Sequence, residues 1–384
     1  MFTIFGLLKQ RFGNARPTIR FAVEMGYIRM SDTLKRSAIL IFSGPGHPRC
    51  EALEQAAEVG DAPRHDYVEL AHTLNADIID GSFIFDHAHP LSRSIVRWMG
   101  IPQAQVLEVW MRRKRYHHIL LWHDRFGLTL GLLLKCTRTH ADVVLLSAYL
   151  ASPKRSLAVR LLRTYSSLRA IALESSEQKR IAVERLGIPN KKLHLFLPGV
   201  DDRFWRPQDA PVGHAICSVG AEARDYTTLI EAVRGLDVDV DLVPGSALVP
   251  DLLPPRVRVH EKLSWLQLRD VYAFSRFVVV PTHDVEYNAG ITSIKEAMAM
   301  GKAVVLSRSK GQADYVRDGI HGLYVAPGDP EALSVAMQYL LNHPEEAEKM
   351  GQAGRALIEE YYTLDTAIAR LAAIVQVEVV MDTP

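Results

Sequence analysis

Short apolar runs alternate with longer amphipathic segments along most of the chain. Six runs rich in Ile, Val and Leu predict strands in the first half, at residues 37–43, 77–81, 118–122, 142–147, 170–174 and 193–197. Six more follow at residues 214–219, 239–244, 256–259, 276–280, 302–306 and 322–325. Strands that alternate with helices are typical of βα units around a parallel sheet. The pattern therefore predicts an α/β fold with two doubly wound parallel sheets.

Two sheets imply two domains. A chain of 384 residues exceeds the size at which one hydrophobic core keeps growing, and 48% hydrophobic residues can fill two cores. We divide the chain into an N-terminal segment at 1–35, a first domain at 36–205, a second domain at 206–365 and a C-terminal helix at 366–384 that could cross back to the first domain. Ligands of doubly wound sheets bind beyond the carboxyl ends of the strands, so the cleft between the domains is the expected site.

Charge is divided unequally between the halves. Residues 1–205 hold 29 Lys and Arg against 19 Asp and Glu, whereas residues 206–384 hold 16 against 25, which gives balances of +10 and −9. Such a split suggests that the first half faces something anionic. Residues 1–35 mix cations with apolar residues, and two readings stay open: the segment lies on an anionic membrane, or it packs as a helix on the first domain.

The cysteine spacing and the apolar segments indicate the cellular compartment and the kinds of cofactor to expect. The cysteines Cys50, Cys136 and Cys217 are too widely spaced for a disulfide framework or a zinc site. The N-terminus does not read as a signal peptide, and no window reaches the roughly 20 apolar residues that span a bilayer. We expect a cytoplasmic protein, with attachment to the inner face of the membrane as an option. We expect no metal, no bound cofactor and no nucleic-acid partner.

One segment, PTHDVEYNAGITSIKEAMAMGKAVV at 281–305, carries the clearest chemistry. A strand ends at Pro281, and a helix is predicted from about Gly290 to a stop at Gly301. The unpaired backbone N–H groups of Gly290, Ile291 and Thr292, with the positive end of the helix dipole, suit a diphosphate. Glu296, about a turn and a half further on, is placed to accept hydrogen bonds from ribose hydroxyls.

This segment resembles the retaining glycosyltransferases of the GT-B fold, the group 1 type also called glycosyltransferase family 4. Their motif is a Glu, seven residues, and a second Glu ahead of Ala-Met-Ala-x-Gly. The second Glu is Glu296, but the first falls on Asn288. In the family the first Glu contacts the transferred sugar, so Asn288 takes a catalytic position in which it can exchange hydrogen bonds without supplying charge. The resemblance implies two Rossmann-like domains that face each other across a cleft.

Further matches support the resemblance between residues 140 and 365, at 172–207, 218–233, 271–282 and 310–333. In the loop at 218–233 the family usually holds the diphosphate with an Arg and a Lys. Here Ala221 stands at the usual Arg position, so Gly220 and Arg224 are assigned to the donor, with the guanidinium as the phosphate clamp. The alternative is a surface ion pair between Arg224 and Asp225 or Glu222.

Candidates for the acceptor side follow the strand HILLW. His123 and Asp124 precede a predicted helix, and both side chains are expected to face the cleft; a structural role for His123 is the alternative. Relatives tend to carry a His near Tyr149, where this chain has none. His117 and His118, beside the cations at 112–115, are expected in a solvated basic loop.

The resemblance implies transfer of a hexose from a nucleotide-diphosphate sugar, UDP-linked by preference or GDP-mannose, to a hydroxyl of a glycan, lipid or small molecule. The configuration would be retained by front-side attack, which needs positioning and charge neutralisation rather than a protein nucleophile. A non-catalytic protein that binds a nucleotide sugar, or a partner subunit, is the alternative. An epimerase of similar fold is less favoured. A dehydrogenase is disfavoured because Arg49 stands where the third Gly of the dinucleotide motif belongs.

Overall fold

The computed structural model describes residues 36–41, 49–148, 150, 159, 162–209, 213–247 and 249–376. The two readings of segment 1–35 therefore lie outside the described residues. So do the Gly-bearing loop at 42–48, which held most of the dehydrogenase-like motif, and Tyr149.

Within these described residues, twelve strands form two six-stranded parallel sheets. The strands of the first sheet are β1 (Arg36–Leu40), β2 (Ala76–Ile79), β3 (Tyr116–Leu121), β4 (Val143–Ser147), β5 (Ala170–Leu173) and β6 (Leu193–Leu195). Those of the second are β7 (Ala215–Val219), β8 (Asp239–Val243), β9 (Val257–Val259), β10 (Val278–Val280), β11 (Val304–Ser307) and β12 (Gly322–Val325). All twelve predicted strands and the α/β fold class are confirmed. One detail is wrong: β3 begins at Tyr116, so His117 and His118 belong to a strand and not to a basic loop.

Helices connect the strands. The first sheet carries α1 (Cys50–Glu58), α2 (Asp66–Leu74), α3 (Gly81–Asp86), α4 (Pro90–Met99), α5 (Ile101–Arg112), α6 (Asp124–Cys136) and α7 (Ser176–Glu184). The second carries α8 (Tyr226–Val233), α9 (Trp265–Phe274), α10 (Ile291–Ala299), α11 (Pro330–Asn342) and α12 (Pro344–Tyr361), and α13 (Leu364–Gln376) follows. The central strands are buried on both faces, as in all of β4 and β10, because helices cover both sides of a parallel sheet.

Strand order determines where ligands can bind. The orders are β2-β1-β3-β4-β5-β6 and β12-β11-β10-β7-β8-β9. The direction of connection reverses between β1 and β3 and between β7 and β10, and crevices open at such points beyond the carboxyl ends of the strands. The loops that follow β7 and β10 therefore share one crevice, and Cys217 of β7 is in register with Val278 of β10.

The chain crosses between the two sheets twice, and the crossings run side by side. Val200 pairs with Thr363 in a parallel bridge. Gly199 is needed there, because a Cβ would lie 2.4 Å from the Thr363 carbonyl oxygen. Arg64 secures both crossings, donating 2.7 Å to Asp201 and 2.6 Å to Asp365.

After the second crossing, α13 packs on the first sheet. Its apolar side chains join the core formed by β1, β3, β4 and α2 through Leu364, Ala367, Ile368, Leu371, Ala372 and Val375. The C-terminal helix is thus in contact with the first domain, whereas the exact domain bounds of 36–205 and 206–365 stay a prediction.

A close backbone contact holds α12 beneath the site helix α10. A Cβ at Gly351 would lie 2.0 Å from the carbonyl oxygen of Gly301, two residues beyond the end of α10. We expect Gly351→Ala to destabilise the protein by about 1–3 kcal/mol, because the clash outweighs the roughly 1 kcal/mol that Ala gains in a helix. Urea denaturation measures the change. Gly235→Ala, where a Cβ meets open space, is the control, and equal stability of the two variants would contradict the packing described.

Candidate active site

The helix α10 begins at the crevice of the second sheet. Its N-cap, Gly290, has a φ of +81°, a conformation that favours glycine, and a Cβ there would lie 2.7 Å from Val280 Cγ1. No side chain caps this helix end. The backbone N–H groups of Ile291 and Thr292 lie at this helix N-terminus, where the helix dipole gives a partial positive charge. The predicted start near Gly290 and stop at Gly301 are both observed.

Arg224 lies against this helix end. Its guanidinium donates to the Val219 carbonyl at 2.8 and 3.1 Å, to the Glu222 carbonyl at 3.1 Å and to Ser293 Oγ at 2.9 Å. Burial lowers the pKa of Arg224, which is only 7% exposed. Surface ion pairing, the alternative reading of this residue, is therefore not the observed arrangement.

Two glycines leave room for that guanidinium. A Cβ at Gly220, where φ is +113°, would lie 2.5 Å from Arg224 Nη2, and a Cβ at Gly290 would lie 3.2 Å from Nη1. The loops after β7 and β10 are joined by backbone hydrogen bonds from Asp225 N to the Pro281 carbonyl and from His283 N to the Ala223 carbonyl. The structure thus brings together four residues assigned from sequence to the donor: Gly220, Arg224, Gly290 and Ile291.

Glu296 lies one helical turn beyond Ser293 and is also buried. Burial raises the pKa of its carboxyl to about 7, against the lowering effects of the Tyr272 hydroxyl, Lys295 and Arg224. Tyr272 on α9 donates to Glu296 Oε2 at 2.8 Å. This hydrogen bond fixes the direction of the carboxylate that the sequence assigned to the ribose.

Asn288 reaches the first domain. Its Nδ2 donates to the Glu174 carbonyl at 3.3 Å, across 114 residues of sequence. Burial raises the pKa of the Glu174 carboxyl to about 7, and a hydrogen bond from the Asn288 side chain lowers it. Lys295 is buried nearby and donates to the Pro198 and Gly199 carbonyls of the first crossing at 3.2 and 2.7 Å.

His123 and Asp124 lie at the start of α6. His123 is half-buried at the N-cap, and its Nδ1 accepts from Arg125 N at 3.2 Å. Asp124 is 1% exposed and accepts a hydrogen bond from Ser147 at the end of β4. Asp124 influences Glu174 electrostatically, so it lies near the crevice, but its carboxylate is engaged within the first domain. The catalytic assignments of His123, Asp124 and Asn288 stay predictions.

Sequence reasoning missed three polar residues of this site. Ser293 and Lys295 lie within the motif itself, and Ser293 lies three residues from both Gly290 and Glu296, a helical spacing that could have placed it on their face. Tyr272 lies 24 residues before Glu296 on a different helix, and no local pattern marks it.

Comparison with known proteins finds a family match in the second sheet. Residues 251–357, which include α10 and its motif, match the family described as glycosyl transferases group 1. This match extends from β9 to β12, so the similarity to the group 1 glycosyltransferases concerns the part of the chain that forms the crevice around Glu296.

Curated relatives align with only part of this chain. An MMP alpha-(1->4)-mannosyltransferase of Mycolicibacterium hassiacum is 26% identical over 200 residues, covering 48% of each chain. The D-rhamnosyltransferase WbpZ of Pseudomonas aeruginosa is 28% identical over 173 residues, which cover 41% of this chain and 44% of that protein. The chain thus spans about half the length of the curated relatives it matches.

Solved structures show the GT-B fold across nearly the whole chain. Sucrose-phosphate synthase from Thermosynechococcus elongatus aligns with a TM-score of 0.66 at 16% identity, over 88% of this chain and 98% of its own. HepE from Anabaena, solved in complex with UDP and glucose, aligns with a TM-score of 0.66 at 14% identity, over 89% and 99%. At such identities the likeness concerns the fold. The predicted architecture of two Rossmann-like domains is confirmed.

A membrane-spanning helix and a cluster of metal-ligating side chains are both absent from the described part of the chain. None of its helices combines the length and the apolar character needed to cross a bilayer. Within the same residues, no group of three or more His, Cys, Asp and Glu side chains is arranged to hold a metal ion. Metal independence stays a prediction.

The Tyr272–Glu296 hydrogen bond predicts a shift in pH dependence. Ribose hydroxyls donate to an ionised carboxylate, so affinity for a nucleoside diphosphate should rise with pH through the Glu296 pKa of about 7. Tyr272→Phe removes a hydrogen bond that lowers this pKa, so the midpoint should move upward and the affinity at pH 7 should fall by about three- to tenfold. Calorimetric titration with UDP, GDP and ADP between pH 5.5 and 8.5 measures both effects. Tyr324→Phe, on the edge strand β12, is the control, and an unmoved midpoint in Tyr272→Phe would refute the coupling.

Proposed function

We propose that the protein transfers a hexose from a nucleotide-diphosphate sugar to a hydroxyl of a glycan, lipid or small-molecule acceptor, with retention of configuration. The observation that carries this proposal is the position of the Arg224 guanidinium between Gly220 and Gly290, against the start of α10. A planar cation beside a helix N-terminus that no side chain caps is suited to diphosphate oxygens.

The residues around this cation fit a complete donor nucleotide. Glu296 lies on the same helix, about a turn and a half beyond Gly290, with its carboxylate oriented by Tyr272. A diphosphate at the helix start would therefore place the ribose toward Glu296 and the sugar toward Asn288, on the other side of Gly290. Ile291 and Thr292 would contribute backbone N–H groups to the phosphates.

A UDP-linked sugar is the favoured donor, and GDP-mannose is the alternative. HepE, which shares the fold, is bound to UDP and glucose in its structure, while one aligned curated relative is a mannosyltransferase. The residues described here bind diphosphate and ribose, which are common to all such donors. Only a comparison of donors with different bases can therefore identify the base.

The mechanism asks the protein for positioning and charge neutralisation. In front-side attack the leaving diphosphate accepts the proton of the acceptor hydroxyl, so retention needs no protein nucleophile. Arg224 and the start of α10 stabilise the negative charge that develops on the departing phosphate. These groups neutralise charge without a metal, which is why we propose a metal-independent enzyme without a bound cofactor. His123, at the crevice edge of the first sheet, is proposed to contact the sugar or the acceptor.

One specific observation favours a second candidate. Asn288 supplies an amide where the family motif has a carboxylate, which is compatible with a protein that binds a nucleotide sugar without transferring it. Such a protein would serve as a sensor or as a partner subunit.

A donor panel separates these functions. Release of nucleoside diphosphate from UDP-, GDP- and ADP-sugars should occur with one base only, and NMR of the product should show the donor's anomeric configuration. Glu296→Ala should weaken donor binding by about 10- to 100-fold, as for loss of a charged hydrogen bond. The control is Glu345→Ala, which alters an exposed residue in the first turn of α12 and should bind normally. Tight binding without hydrolysis or transfer to any acceptor would favour the non-catalytic function, and normal binding by Glu296→Ala would refute the site.

We further propose a cytoplasmic location with peripheral attachment to an anionic membrane. The helix α4 exposes apolar side chains along one face, with Trp98 84%, Met99 59% and Leu91 53% exposed. Arg93 and Arg97 lie on the same short helix, and both are exposed. Apolar side chains flanked by cations are typical of helices that lie in a membrane interface. The proposal thus rests on α4 and on the +10 charge of the first half.

Vesicle flotation tests this attachment. The wild-type protein should float with vesicles of phosphatidylglycerol but not of phosphatidylcholine, and salt should weaken the binding. The variant Trp98→Ser with Met99→Ser should bind at least about tenfold less, since each buried apolar side chain contributes roughly 1.5–3 kcal/mol. Leu252→Ser, which alters an 82% exposed residue of the second domain, is the control. Equal flotation of the α4 variant and the control would exclude α4 as the docking helix.

A further inference from the structure

We propose that Glu174, from the first domain, supplies the carboxylate that position 288 lacks, and that it accepts hydrogen bonds from hydroxyls of the transferred sugar. The inference rests on the proposed function and names the residue that would recognise the sugar. It assigns to Glu174 a role for which its local sequence gives no signal.

The position of Glu174 in the fold is the first reason. It directly follows β5, at the carboxyl edge of the first sheet, and Ser175 caps the next helix by accepting from Gln178 N at 3.2 Å. The segment then docks on the second domain, where Ser176 N donates to Asp314 at 2.8 Å and Arg185 pairs with Glu286 at 2.8 Å. Glu174 is thus held at the meeting edges of both sheets.

The second reason is the contact with Asn288. Its amide donates to the Glu174 backbone carbonyl at 3.3 Å, which places the side chain of Asn288 beside Glu174. Asn288 lies two residues before Gly290, where the diphosphate is proposed to bind. The sugar is joined directly to that diphosphate, so this amide and this carboxylate are proposed to face it. Together they offer donors and acceptors to hydroxyl groups.

The third reason is electrostatic. A Glu at position 288 would place two carboxylates in one buried site, and one of them would have to be protonated. An Asn avoids this conflict, because its amide can donate to the neighbouring carboxylate. The site therefore still has one carboxylate, but the first domain supplies it instead of the loop that precedes α10.

Other charged groups around Glu174 determine its titration. Lys295 on α10 favours its ionised form, whereas Asp66 on α2 and Asp124 on α6 oppose it. Tyr315, near the second crossing, also lies within its electrostatic influence. Burial is the largest influence and raises the pKa of Glu174 to about 7. A role that needs the carboxylate should therefore strengthen as pH rises through 7.

The test separates recognition of the sugar from recognition of the nucleotide. We would measure the dissociation constants of the free nucleoside diphosphate and of the matching nucleotide sugar for wild type, Glu174→Gln and Glu184→Gln. Glu184, the exposed last residue of α7, the helix that follows Glu174, is the control. Glu174→Gln should bind the free nucleotide within about twofold of wild type. The ratio of its affinities for the nucleotide sugar and for the free nucleotide should fall at least about tenfold. Its pH dependence near 7 for sugar binding should also disappear.

A relocated carboxylate provides the second arm. The double variant Glu174→Gln with Asn288→Glu returns a carboxylate to the site from the other domain, and it should recover at least a third of the lost sugar-dependent affinity. Thermal melting of each variant monitors folding. Equal losses for nucleotide and nucleotide sugar, or no loss in Glu174→Gln, would overturn the inference.

The outcomes also distinguish this inference from the proposed function. A wild-type protein whose sugar-dependent affinity needs Glu174, but which neither hydrolyses nor transfers any sugar, would remove the proposed catalysis and leave the sugar contact standing. Transfer that persists unchanged in Glu174→Gln would leave catalysis standing and overturn the sugar contact. Failure of the wild type to bind any nucleotide sugar would overturn both.

Discussion

Burial of charge at the meeting edges of the two sheets is the constraint on which the rest of the site depends. Arg224, Lys295 and Glu296 are each less than 10% exposed, and a charged group withdrawn from water must find partners in the protein. The two cations find them in backbone carbonyls, at Val219 and Glu222 for Arg224 and at Pro198 and Gly199 for Lys295. The conformations of the β7 loop and of the first crossing are therefore tied to the charges that they satisfy.

This constraint links the donor site to the connection between the domains. Lys295 and Glu296 are neighbours on α10, yet one side chain bonds to the crossing segment and the other to Tyr272 on α9. Any rotation of α10 would break both sets of hydrogen bonds at once. Arg64 then joins the crossing to the first domain through Asp201. Hydrogen bonds from charged side chains thus tie α10 to the first crossing, and the same crossing to the loop before α2.

The strands and the site helix could be predicted because their signals are local. Apolar runs of four to seven residues located all twelve strands, and glycine at 290 and 301 located both ends of α10. Arg224 was found because it lies within five residues of the end of β7. Tyr272 and Glu174 could not be found this way, since each meets its partner only after distant segments have packed together. The strand boundary at His117 was missed for a different reason: flanking cations outweighed the apolar run that follows.

The charge of the first half does not arise from donor binding. The cation assigned to the diphosphate, Arg224, belongs to the second half, whereas the first half contributes the carboxyls Asp66, Asp124 and Glu174 near the crevice. Among the described cations of the first half, Arg93 and Arg97 lie on α4 beside exposed Trp98, on a different helix from Asp66 of α2 and Asp124 of α6. Carboxyl oxygens accept hydrogen bonds from hydroxyl groups, whereas exposed cations beside apolar side chains suit an anionic surface. Because the two kinds of group lie on different elements of the domain, neither has to compete with the other for its partner.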